Sequence, residues 1–426
     1  VPPIADYPLR YQLSNELHAR PFPSLAAPAT ALYLAIKRPD RAAARDSGDD
    51  RAHLIDLLDR FGATHPSADA NHYSGEIGRH QLKWESHTEF VTYTIFKQGV
   101  SDRPFDPTDF DLFPADWLER APGARITSAI IRLTGRADDS VLQSEIDNCF
   151  VSESLAVARV LDDAAVVAGD FRIDPAGHTR FAVSAPSGTG PRRLGRIVQR
   201  LCEIETYKTV SMLGFARVRG MSARMAEIDT ELTRLIAEMS TGERPAEETL
   251  KGLLSVSAEL EGMVAESSFR FSATAAYQRI VQQRVEVLGE ERYEGRQTFA
   301  EFMMRRYEPA MRTVEATERR LGAMADRAMR AGDLLRTRVD VERSAQNQAL
   351  LESMDRRADA QLRLQRTVEG LSVVAISYYA VSLAGYLLYP MAAHLGMSGG
   401  LMTAAITLPV IGTVWWVIAR IRNSLH

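Results

Sequence analysis

The residues of this chain with the types and spacing to do chemistry gather in two short clusters. One is Asn15-Glu16-Leu17-His18-Ala19-Arg20-Pro21-Phe22, the other Lys83-Trp84-Glu85-Ser86-His87-Thr88-Glu89-Phe90. In extended backbone, side chains alternate between faces, so Glu85, His87 and Glu89 would share one face and Trp84, Thr88 and Phe90 the other. One imidazole between two carboxylates could hold a hard divalent cation or serve as general acid and base. The same groups could instead be solvated, or pair with Arg20 and pin an N-terminal arm to a sheet. The ligand-binding candidates are therefore Asn15, Glu16, His18, Arg20, Lys83, Trp84, Glu85, His87 and Glu89. The cofactor stays unspecified, with a divalent cation compatible with these side chains. No nucleophile elbow, P-loop, zinc-protease or dinucleotide fingerprint accompanies either cluster, and Gly188-Thr189-Gly190 lacks the rest of a phosphate-binding pattern. An enzyme is possible on these residues but unsupported by them.

The elements that must position the second cluster read as mixed α and β. Residues 29–37 form a strand pattern, and residues 49–61 place Leu54, Ile55, Leu57, Leu58 and Phe61 on one helical face after an acidic start. The runs 73–85 and 88–97 read as an antiparallel pair that meets at the cluster. Four more strand runs follow at 125–134, 155–161, 164–173 and 180–185, with Asp162-Asp163 and Asp174-Pro175-Ala176-Gly177 as turns. The expectation is an α+β, α/β-type, cytoplasmic domain over residues 1–188. Pro186-Ser187-Gly188-Thr189-Gly190-Pro191 ends it, and residues 189–369 are expected to form a helical stalk.

Breaks in the helical pattern fall near residues 240–245, near 289–293 and at Pro309, which suits a first-turn position. After Pro309 no proline appears until Pro390, so a single helix of about 80 residues is expected, on the order of 120 Å long. Val314, Leu321, Met324, Ala328, Ala331 and Leu335 recur on one stripe of it. That stripe fits either an intramolecular bundle or a multi-subunit stalk.

Residues 370–419 contain no Asp, Glu, Lys or Arg. A helix needs roughly 20 apolar residues to cross a hydrocarbon core, so residues 370–426 read as a transmembrane hairpin with spans near 371–391 and 401–419. Arg356, Arg357, Arg363 and Arg366 precede it, and Arg420 and Arg422 follow. By the positive-inside rule both termini are then cytoplasmic. Tyr378, Ser382, Tyr386 and Tyr389 recur along the first span as pore-lining candidates, with an aromatic interface belt as the other reading. A formal charge of -4 with interspersed signs carries no nucleic-acid footprint. Cys149 and Cys202 lie far apart, without zinc spacing. The N-terminal residues show no export signal, so the expected partners are the lipid bilayer and further copies of the chain, and the bulk is expected to be cytoplasmic.

The segments Asn-Glu-Leu-His-Ala-Arg-Pro at 15–21, Lys-Trp-Glu-Ser-His-Thr-Glu-Phe at 83–90, Leu-Leu-Arg-Thr-Arg-Val-Asp-Val at 334–341 and the run 365–379 carry a resemblance. They resemble a bacterial family of uncharacterised membrane-anchored proteins, classed as a domain of unknown function, over nearly the whole chain. That resemblance implies an inner-membrane topology and no activity. The order of domain, long helix and two C-terminal spans is also similar to CorA-type magnesium transporters, which are homopentamers with Gly-Met-Asn directly after the first span. Here that place reads Leu388-Tyr389-Pro390, and Gly396-Met397-Ser398 is displaced and lacks the asparagine. The similarity implies an oligomeric divalent-cation transporter or channel; a membrane-tethered ligand- or partner-binding scaffold or sensor is the alternative.

Overall fold

Runs of β-branched and aromatic residues form one nine-stranded sheet in the computed structural model, which describes residues 4–11, 13–14, 22–39, 47–68, 70–136, 138–242, 244–394 and 398–424. The strands are β1 (Ala29–Lys37), β2 (His72–Ile77), β3 (His80–Ser86), β4 (Phe90–Gln98), β5 (Ala124–Gly135), β6 (Ala156–Val160), β7 (Ala165–Gly169), β8 (Thr179–Ala185) and β9 (Glu291–Arg292). They lie in the order β2-β3-β4-β1-β5-β8-β7-β6-β9. Every pairing is antiparallel except β5 with β8. The run expected as one strand over 73–85 is a hairpin, because Gly78 at φ 60° reverses the chain between β2 and β3.

Both faces of the sheet are covered, so β1 is buried along its whole length. Its residues sort by parity: Ala31, Tyr33 and Ala35 enter one core and Leu32, Leu34 and Ile36 the other. The second core is covered by α1 (Ser47–Arg60), a 3₁₀ turn (Pro107–Leu112), α2 (Ala115–Glu119) and α3 (Asp139–Cys149). The first is covered by α4 (Pro191–Thr241), the end of α5 (Ala246–Glu286), α6 (Phe299–Phe302), the π-turn after it and the start of α7 (Glu308–His394). Pro191 opens α4 and Gly242, at φ 67°, closes it.

Two compact units result. The first comprises residues 1–243 and 251–331, and the turn at Pro186–Pro191 joins β8 to α4 inside it. Val314, Leu321, Met324, Ala328 and Ala331 are all buried within a single chain, so their stripe is already covered without another copy. Asp229 of α4 fixes the same stretch by accepting from Arg320 at 2.8 Å and Arg327 at 2.5 Å.

The second unit comprises Arg244–Leu250 and Gly332–His426. In it Arg343 Nη2 pairs with Glu247 at 2.6 Å, and α7 and α8 (Gly399–Ser424) each include a stretch long and apolar enough to cross a membrane. Their apolar windows have mean hydropathies of 1.7 and 1.8. Pro409 lies inside α8, where Thr413 Oγ1 donates to its carbonyl at 2.8 Å.

Candidate functional site

The hairpin of β3 and β4 presents alternate residues to opposite sides of the sheet. Leu82, Trp84, Val91, Tyr93 and Ile95 go into the core under α1, whereas Lys83, Glu85, Phe90, Thr92, Thr94 and Phe96 face α4. On α4 the residues that answer them are Val198, Gln199, Cys202, Glu203, Thr206 and Tyr207, which the helical repeat puts on one face. A cavity of about 230 Å³ lies between, with Phe22, Tyr33, His87 and Arg284 completing its wall.

A chain of alternating charges runs along that wall. Lys83 Nζ lies 3.2 Å from Glu85 Oε2 and donates to Gln199 Oε1 at 2.9 Å. Gln199 Nε2 donates to Glu203 Oε1 at 2.8 Å, and Arg284 Nε donates to Glu203 Oε2. The Lys83 and Glu85 side chains are largely buried, so each charge depends on its partner for the solvation it has lost. The Tyr33 and Thr206 hydroxyls share a hydrogen bond, and Thr206 also donates to the Cys202 carbonyl at 2.9 Å. Burial, reinforced by Glu203, pushes the Cys202 thiol well up; burial, reinforced by Cys202, does the same to the Tyr33 phenol. Both are therefore protonated donors at neutral pH, and Cys202 is no thiolate nucleophile. The wall can recognise charge and hydrogen bonding.

Glu85 and His87 face this space together, with Lys83, but Glu89 does not join them. The chain turns at residues 87–89, closed by the His87 N–H donating to the Phe90 carbonyl at 2.9 Å, so strict alternation ends there. Phe90 consequently lines the cavity, its ring stacked 4.4 Å from His87, while Glu89 points elsewhere. Its carboxylate accepts from Arg270 Nη1 at 3.2 Å and Tyr277 OH at 3.0 Å, with Lys37 Nζ at 3.7 Å. Trp84 is a core residue packed on the far side of β3. Among the described residues no group of three or more His, Cys, Asp or Glu could hold a metal ion.

Asn15, Glu16, His18 and Arg20 lie outside the described residues, although Phe22, at the end of their cluster, reaches the cavity. Tyr378, Tyr386 and Tyr389 are exposed on α7 and Ser382 is half-buried. Gln199, Glu203 and Arg284 escape the sequence reading. Their signal is a polar pair at i and i+4 interrupting the apolar face of α4, with an arginine in the last turn of α5.

Residues 5–425 match the family described as "Protein of unknown function (DUF3422)". No curated protein matches the chain.

Proposed function

The chain belongs to the DUF3422 family, whose function is unknown, and we propose for it a membrane-anchored binding protein that recognises a small polar molecule between the β3–β4 hairpin and α4. The observation that carries this is the pair of ion pairs, Lys83–Glu85 and Arg284–Glu203, joined through Gln199 at the wall of a cavity. Two cations and two carboxylates balance one another, so a ligand of single sign would leave one wall charge opposed. A zwitterion can satisfy both signs at once. Phe90 and Tyr207 add apolar surface beside the charged groups.

In this reading the two apolar helical stretches are the anchor, and the arginines at either end of the hairpin hold both termini on the cytoplasmic face of a bacterial inner membrane. The test is thermal unfolding of the full chain in lipid nanodiscs with millimolar concentrations of each common free amino acid. Binding to the folded state raises the unfolding midpoint by mass action. At least one zwitterion raises it in the wild type, and Lys83→Met with Glu203→Gln removes the rise. A flat response to all of them overturns the reading.

A second reading, cation conduction with a CorA-like arrangement, draws on the exposed Tyr378, Tyr386 and Tyr389 of the first span. One hairpin cannot enclose a pore, so it requires a homo-oligomer. Divalent-cation flux into reconstituted vesicles supports it; a strictly monomeric mass in detergent sinks it.

A further inference from the structure

On the other face of the sheet lies a larger cavity, about 520 Å³, within the range of small-molecule sites. Leu34, Ile36, Phe110, Phe113 and Leu118 are the large apolar side chains of its wall. It contains one cationic side chain, Arg125, and one acidic one, Asp111, both exposed to solvent at its mouth.

Arg125 arrives there through a register shift. Leu34 pairs with Ser128 and Ala35 with Thr127, but Ile36 pairs with Arg125, so Ile126 is an extra residue in β5. Strict alternation from Ser128 would aim Ile126 at this cavity and Arg125 at the opposite core. The bulge reverses them: Ile126 packs against the core under α4, and Arg125 joins Leu34 and Ile36. Gly177 makes room for the guanidinium, since a Cβ at that position would collide with Arg125 Nη2, and its φ of 91° suits glycine. Arg125 Nη1 donates to Ser128 Oγ at 3.4 Å, and no carboxylate among the described residues pairs with the guanidinium. His178, beside it, has Nδ1 bonded to Ser128 Oγ at 2.9 Å and its ring 4.1 Å from Phe110.

We propose that this cavity binds a monocarboxylate with an apolar body, alkyl or aryl, its carboxylate on the Arg125 guanidinium and its body among Leu34, Phe110, Phe113 and Leu118. A bulge that moves one arginine onto an apolar wall creates the complement of such a molecule: one charge at one end, greasy surface along the rest. The ligand is chemically distinct from the zwitterion of the other cavity, and its binding does not depend on that reading.

Isothermal titration of the full chain in nanodiscs tests it, with empty nanodiscs as the blank and with phenylbutyrate, octanoate and phenylbutanol as probes. At least one acid binds about tenfold or more tightly than the alcohol, as a charge-assisted hydrogen bond requires. Arg125→Gln erases that advantage while leaving phenylbutanol binding unchanged. Ala121→Trp, which fills the cavity with Arg125 intact, removes acid binding; a thermal scan verifies that this variant is folded. Lys83→Met leaves phenylbutyrate affinity unchanged, separating this site from the one across the sheet. Equal binding of acid and alcohol, no binding of either acid at millimolar concentration, or wild-type acid binding by Arg125→Gln overturns the proposal.

Discussion

Glu89 shows how a residue with ligand-like chemistry can be structural. Its side chain has 0% exposure and accepts from Arg270 and Tyr277 while Lys37 approaches, so α5 and β1 are held to the turn at residues 87–89. Burial, and then the Glu89 charge, raise the Tyr277 phenol, which keeps it a donor. Glu89→Ala takes the carboxylate away from the largely buried Arg270 guanidinium and is expected to cost about 3–5 kcal/mol, read from urea unfolding. His53, His80 and His178 make a second prediction, since burial lowers each of them from the ordinary 6.5. The unfolded chain then takes up protons before the folded one does as pH falls. Stability contributed by the neutral rings is complete above 6.5 and is lost progressively below it, towards the lowered folded values. The unfolding midpoint should fall on acidification from about pH 7.5 to about pH 5.5, and His53→Gln combined with His178→Gln should flatten the slope. Asp163, Asp229 and Glu259 have depressed values held down by arginines, so their losses belong to a separate, more acid window.

At the scale of elements, two glycines of α4 are contact points. A Cβ on Gly195 would collide with the Pro23 carbonyl, and Leu25 N–H donates to the Pro191 carbonyl at 3.0 Å, so the segment after Phe22 lies directly on the helix. Gly195→Ala must push that segment off. It is expected to cost about 1–3 kcal/mol in urea unfolding and, by moving Phe22, to weaken binding in the adjacent cavity. Gly214 lets α5 approach in the same way, because a Cβ there would strike Thr274.

The strands were legible where the local pattern decided them. β1 matches its sequence reading end to end, since a buried central strand is a continuous apolar run. The β2–β3 reversal at Gly78 was missed because a single glycine within alternating residues reads equally as strand interior. Lys83, Glu85 and His87 were found by type and spacing. Gln199, Glu203 and Arg284 were not, because Gln199 meets Lys83 from 116 residues away and Glu203 meets Arg284 from 81 residues away on another helix, and only tertiary packing makes those pairs. The Arg125 bulge was invisible for a related reason: one inserted residue changes which side a strand faces without changing its composition.

For the whole molecule, the proposed membrane anchor makes the sharpest prediction. The second apolar stretch, Gly400–Ile421, contains no charge until Arg420, and Leu408 is near its middle. Leu408→Arg should cost about 2.5–3.5 kcal/mol of insertion free energy, seen as a smaller alkali-resistant membrane fraction. Leu408→Phe should leave that fraction unchanged. The buried stripe on α7 was open between bundle and stalk in sequence terms, and a single chain covers Val314 through Ala331 by itself. Any assembly of copies therefore has to use other residues.

The order of synthesis gives the sheet's last strand a separate importance. β6 is completed by residues made long after it: Leu161 N–H donates to the Leu288 carbonyl, Val157 N–H to the Gln297 carbonyl, and β9 pairs between them. At about 5–20 residues per second, the roughly 130 residues from Val160 to Leu288 take on the order of 6–25 s to emerge. During that interval β6 is an open edge able to template pairing with a neighbouring nascent chain. Ribosome-bound chains that have exposed residues only to 286 should aggregate, and those that have exposed residues past 297 should not. Closure of that edge precedes emergence of the first apolar stretch, so the ribosome would reach the apolar helices with β6 already covered.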